Sequence, residues 1–230
     1  MQKSVFKSIV LMGTLILCPI GANAQAQLQE KPQHKPSHKT SSIPVEMNFG
    51  NNRFGLQFLI NTPMPQVDKL TFFTVTSFES GYKNKDGNLD YISNSQVAYQ
   101  IYKGFAAAAG LSINSKSGMS PTAGLKYVFA NREILFVVTP TIHISPTHNL
   151  EGLTLLEYKP AITKELHLYT RFQGFYNRNL KYDHHERSYM QLRAGLGIRH
   201  YQFGLAANWD YYGPAKLLKD NYGIFLRVNL

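Results

Sequence analysis

Beyond Cys18 the chain has no cysteine. Disulfide scaffolds, zinc-thiolate sites and cysteine hydrolases are therefore excluded from the part that follows, and packing and hydrogen bonds must hold it together. After the first 24 residues there is no apolar run of 18 or more, which excludes a transmembrane helix. Charge is sparse as well: Asp, Glu, Lys and Arg make up 17% of the residues. Glycine-rich phosphate loops, paired CxxC ligands and a helical HExxH are absent, so neither cofactor nor metal is expected.

Acidic residues are few, 14 against 24 Lys and Arg, giving a formal charge of +10. Removing Lys3 and Lys7, the charged side chains of the first 24 residues, leaves +8. The basic residues are spread along the chain instead of clustered on a helix or arm, so nucleic acid is not the expected partner. Anionic lipopolysaccharide, membrane lipid and small anionic solutes fit better.

The N-terminus carries Lys3 and Lys7, an apolar stretch from Ile9 to Ile20, and the small-residue run Ala22-Asn23-Ala24. These are the three parts of a secretory signal, so residues 1–24 are expected to be cleaved on export. Residues 25–42 are polar, basic and proline-bearing, and are expected to form a disordered periplasmic tail. His34 and His38 within it are expected to be solvated.

From residue 43 to 230 the chain alternates apolar and polar residues in short segments divided by turn residues, the period of β-strands. Between Tyr189 and Arg199, for example, Met190, Leu192, Ala194, Leu196 and Ile198 share one face. Gln191, Arg193, Gly195, Gly197 and Arg199 share the other. The pattern predicts about twelve strands, ten at the lower count, most of them long enough to cross a bilayer when tilted. The fold class expected is all-β, a closed antiparallel up-and-down transmembrane barrel. Tight connections alternate with segments 81–90, 179–187 and 213–221, expected to be long outer loops.

Alternation does not say which face is inside. The polar faces are rich in Gly, Ala, Ser, Asn and Gln, residues suited to a confined lumen, so the apolar faces are expected to meet lipid. Tyrosine and phenylalanine supply 28 residues. Many fall near strand ends (Tyr91, Tyr102, Tyr127, Phe129, Tyr201, Trp209, Tyr211), where interfacial girdles form.

The expected lumen side carries Lys126, Lys159, Arg171, Arg193, Arg199 and Arg227 against Glu46, Glu133, Glu157 and Asp210, with Asn208 among its polar groups. Arg171 is placed to neutralise Glu157, whereas Arg193 and Arg227 have no acidic neighbour in sequence. Unpaired guanidinium groups present forks to carboxylate or phosphate and point to a narrow anion-preferring pore in a monomeric outer-membrane protein. The competing reading is a lumen filled by Arg–Glu networks that only hold shape, in a closed structural or surface-contact barrel. Asp183, His184, His185 and Glu186 are read as solvated loop residues.

Strand count, length, basic lumen and the closing strand Phe225-Leu226-Arg227-Val228-Asn229-Leu230 resemble the small monomeric channels for acidic oligosaccharides. The resemblance implies a passive outer-membrane channel. His143-Ile144-Ser145 with Glu157 resembles the H-x-S plus carboxylate pattern of outer-membrane lipid A deacylases, which implies a lipid hydrolase as the alternative. That reading requires a symmetric hairpin setting position 143 opposite 157. Pro146 stands where that family has asparagine, and Pro140 is a candidate bulge.

Overall fold

The structure, a computed structural model, describes residues 43–65, 67, 69–83 and 89–230. The proposed signal, the proposed tail and their two histidines lie outside the described residues. Twelve strands follow one another: β1 (Pro44–Gly50), β2 (Arg53–Pro63), β3 (Leu70–Gly81), β4 (Asp90–Tyr102), β5 (Phe105–Asn114) and β6 (Gly118–Ala130). They continue with β7 (Ile134–His143), β8 (Leu150–Tyr158), β9 (Leu166–Asn179), β10 (His184–Ile198), β11 (Tyr201–Tyr212) and β12 (Leu217–Asn229). Each pairs antiparallel with its neighbours in sequence, and β1 closes on β12 from Pro44 opposite Asn229 to Gly50 opposite Gly223. Closure leaves no strand edge unpaired, as a bilayer requires.

An even strand number puts both ends of the barrel on the same side, here called the terminal end. Turns at 103–104 and 199–200 are tight there, as the sequence predicts. At the opposite end, two of the expected long loops are four-residue turns, 180–183 and 213–216. The strands run on through residues read as loop, so His184, His185 and Glu186 begin β10. The reason is physical: beyond the hydrocarbon both faces of a strand are wet, the apolar–polar alternation disappears, and a continuing ladder looks like polar loop.

The faces are as expected. Leu205 and Ile224 are 69% and 58% exposed on the outer wall, while Glu46, Asn48 and Arg193 are buried inside. Exposed aromatics gather at the two rims, with Tyr102, Phe105, Phe129 and Tyr201 toward the terminal end and Phe49, Tyr176 and Tyr222 toward the other. Trp209 Nε1 donates to the Tyr222 hydroxyl at 2.8 Å on the outer face. A continuous leucine and isoleucine wall between aromatic rims is the surface of a transmembrane barrel.

Pro140 makes no bulge: it stands opposite Gly152, and the register with β6 is the same on either side of it. Two β6–β7 rungs are missing where the proline has no N–H to donate. Ile142 therefore stays outside and His143 inside.

The lumen is not purely polar. Leu59, Phe73, Val75, Ile92, Val137, Leu153, Leu155, Phe175 and Tyr189 pack together inside it. Leu153 and Leu155, whose side the alternation leaves open, point inward with Glu157. Phe175 stacks on Tyr189 at a centroid separation of 4.9 Å. Such a cluster is stabilised by removing apolar area from water, as in a soluble core.

Lumen-side glycines also have a different role from the space-making one expected. Gly195 and Gly204 stand directly opposite each other. A Cβ on Gly195 would lie 2.0 Å from the Phe203 carbonyl oxygen, and one on Gly204 would lie 2.3 Å from that of Ala194. The pair permits close strand approach on the concave side of the wall.

Candidate functional site

The interior polar groups form cross-lumen contacts. Glu46 of β1 lies at the convergence of two arginines on β10 and β9, three and four places away around the ring. Its Oε1 accepts from Arg193 Nε at 2.8 Å and from Arg171 Nη2 at 3.0 Å, and its Oε2 is 3.0 Å from Arg171 Nη1. Arg171 and Arg193 are opposite each other on β9 and β10. Two like charges so placed repel unless an anion lies between them. Arg193 Nη1 also donates to Asn208 Oδ1 at 2.7 Å and to the Leu192 carbonyl at 2.8 Å.

Beside this layer, Glu157 of β8 accepts from Arg227 of β12 and from the Tyr169 hydroxyl, the latter at 3.3 Å. Lys159 Nζ reaches the other oxygen of Glu157 at 3.1 Å. Glu157 and Tyr169 are wholly inaccessible, and Arg171, Arg193 and Arg227 are at most 4% exposed. At this level the described side chains fill the lumen. A charge at such depth is tolerated only when paired.

Four expectations from sequence are corrected here. Arg193 and Arg227 do have acidic partners, Glu46 and Glu157, which are 147 and 70 residues away in sequence. Arg171 stands opposite Glu157 in register, yet its guanidinium bonds Glu46. Arg199 is not a lumen residue: it lies in the 199–200 turn, exposed and 3.2 Å from Glu165. Glu133 is exposed in a turn at the same end.

Lys126 is the lumen cation without a carboxylate partner among the described residues. Its Nζ donates to Asn61 Oδ1 at 2.7 Å and sits 4.5 Å from the centre of the Phe73 ring. It stands at the inner end of a cavity of about 320 Å³ that Ala106, Gln100 and Thr71 also line. A second cavity at the terminal end, about 600 Å³, is bordered by Lys159, His167 and Gln202.

The opposite mouth is tied by charge. Arg53 bridges Glu79 and Asp210 at 2.5 and 3.0 Å, and Arg187 bridges Asp210 and Asp90 at 3.2 and 3.3 Å. The Tyr212 hydroxyl also donates to Asp90. A recess of about 60 Å³ lies beside this group. None of these residues was singled out by motif, and Asp210 alone stood in the lumen-side reading.

The H-x-S residues are not brought together with Glu157. The hairpin pairs Ile142 with Leu150, so Glu157 lies opposite Leu135, far along the ladder from His143. His143 Nε2 instead meets Glu151 Oε2 at 3.1 Å, which also accepts from Asn177 Nδ2 at 3.0 Å. The Ser145 hydroxyl pairs with that of Thr147 at 3.1 Å. The expectation of a symmetric hairpin is corrected: the 144–149 turn tightens the register and exchanges one glutamate for another.

These residues define a closed twelve-stranded transmembrane β-barrel whose lumen is crossed by ion pairs. No protein-family model matches the chain, and no curated protein matches it in sequence. Solved structures do match. A KdgM porin in complex with disordered oligogalacturonate is 9% identical, with a TM-score of 0.45 over 82% of this chain and 99% of that one. The NanC porin is 9% identical, with a TM-score of 0.44 over 83% and 100%. The outer membrane protein OprD from Pseudomonas aeruginosa is 11% identical, with a TM-score of 0.38 over 74% and 57%.

Proposed function

We propose that the protein is an outer-membrane barrel that passes small hydrophilic solutes, anions preferentially, through a lumen its own side chains hold narrow. The observation that carries this reading is the make-up of the constriction. Among the described residues it consists of side chains alone, with no inward-folded loop or helix. In the layer around Glu46 and Glu157 the cations Arg171, Arg193 and Arg227, with Lys159 beside them, outnumber those two carboxylates, whereas Glu79, Glu151 and Asp210 lie buried elsewhere in the lumen. An excess of fixed positive charge in a low-dielectric passage favours anions. Residues 1–24 act as the cleaved export signal, and the barrel works as a monomer in contact with lipopolysaccharide and phospholipid.

Refolded protein in planar bilayers tests the proposal. Single-channel steps are expected in potassium chloride, and under a salt gradient the reversal potential is expected to shift toward that of chloride. No conductance in any of several salts rejects the channel.

A second reading, a closed barrel that serves structure or surface contact, is favoured by the cross-lumen ties Glu157–Arg227 and Asp90–Arg187. Under it, breaking either tie alters stability and leaves the bilayer silent.

A further inference from the structure

We infer that Arg171 and Arg193 form an oxyanion-binding fork which the chain fills with its own Glu46 carboxylate, so that a small carboxylate or phosphate in the lumen competes with Glu46 and opens the path as it binds. The inference rests on the reading of the lumen as a conducting path. It adds an internal competitor that holds the path shut.

Three features carry it. First, the two arginines are neighbours on adjacent strands, whereas the anion they share comes from a strand that pairs with neither. Glu46 belongs to β1, and β11 and β12 separate it from β10. The shared carboxylate therefore reaches through the lumen over two intervening strands, and leaving requires rotation of one side chain with no change in strand pairing. The bidentate contact of Arg171 with Glu46 has the geometry any carboxylate or phosphate would present.

Second, the Arg193 half of the fork is held without Glu46. Arg193 Nη1 is fixed by Asn208 Oδ1 and by the Leu192 carbonyl, both on its own side of the lumen. When Glu46 leaves, that guanidinium keeps its position, and an incoming anion meets a preorganised donor.

Third, Glu46 has a polar place to go. Asn48, two residues along the same face of β1, has a buried side-chain amide whose nitrogen and oxygen lack partners. Glu46, Asn48, Gln57, Gln191 and the carboxylate of Glu79, itself paired with Arg53, border a cavity of about 10 Å³ beside Arg193. The space itself holds about one water, so a displaced Glu46 carboxylate reaches the unused donor Asn48 Nδ2 only as neighbouring amides turn aside.

Planar-bilayer recordings of the full chain beside Glu46→Ala and Glu46→Gln test the inference, with heat-modifiable electrophoretic mobility to verify folding. Folded variants are expected to show a conductance about two-fold or more above the parent and a reversal potential shifted further toward chloride. Millimolar sodium phosphate or acetate should reduce chloride current in the variants by occupying the fork. In the unaltered chain, the same additions should raise open probability.

Folded variants with the parent's conductance and selectivity would overturn the inference while the channel reading stands. Absence of conductance from parent and variants alike overturns both. Where neither variant folds, the unaltered chain decides, because an open probability indifferent to phosphate and acetate removes the competition on which the inference depends.

Discussion

Arg187 on β10 reaches Asp90 on β4, six places away around a ring of twelve, with Nη1 3.3 Å from Oδ1. One ion pair thus spans the barrel at the mouth away from the termini, and Tyr212 reinforces it from β11. Asp90→Asn should weaken this tie. Heat or urea unfolding in detergent is expected to register a loss of about 1–3 kcal/mol, the usual range for a charged hydrogen bond. In bilayers the variant should flicker more than the parent, because the mouth loses a fixed strut.

Glu157 is the counter-charge of Arg227 at full burial. Glu157→Ala leaves that guanidinium uncompensated and should cost about 3–5 kcal/mol, as loss of one partner of a buried pair does. The double change Glu157→Leu with Arg227→Met removes both charges and should recover most of the loss. Equal instability of single and double variants would show that packing, not charge, is what Glu157 supplies.

At Gly195 a Cβ would be driven against the Phe203 carbonyl, whereas at Gly152 it would meet nothing within 4 Å. Gly195→Ala is therefore expected to lower the unfolding midpoint or the folded yield, and Gly152→Ala to leave both near the parental value. The comparison controls for the change of residue type and isolates close strand approach.

The membrane-facing wall is tested by placing charge on it. Leu205→Lys should destabilise the barrel in lipid by as much as about 2–4 kcal/mol if its position is near the midplane, and less nearer an interface. Folding yield into vesicles measures this directly. A fully tolerated lysine at Leu205 would contradict lipid contact at that face.

His143 and Glu151 make a buried pair in the lumen wall beneath the 144–149 turn. His143→Ala is expected to reduce stability by about 1–3 kcal/mol, because the buried Glu151 carboxylate keeps Asn177 as its one remaining donor among the described residues. Ser145→Ala, by contrast, should leave both stability and any acyl release from lipopolysaccharide unchanged, since its hydroxyl meets only Thr147.

The strands were legible because period two is a local signal: each residue's face follows from its neighbours in sequence. Met190 and Leu192 turned outward while Gln191 and Arg193 turned inward, as the alternation requires. Lumen pairs were much less legible. Nothing near Arg193 in sequence names Glu46, because the two meet only when β1 closes on β12 and so comes within three strands of β10. Strands apolar on both faces, such as β8, also gave no local sign that Leu155 would turn inward.

Sequence alone therefore determined the barrel class, a strand number of ten to twelve and which face of most strands meets lipid, since these follow from alternation and the bilayer's demand for paired backbone groups. Tertiary structure alone decided which charges neutralise which, how the hairpin at 144–149 sets its register, and that the lumen is crossed by side chains. Those outcomes depend on the diameter and registry of a closed ring, and closure is a property of all twelve strands together.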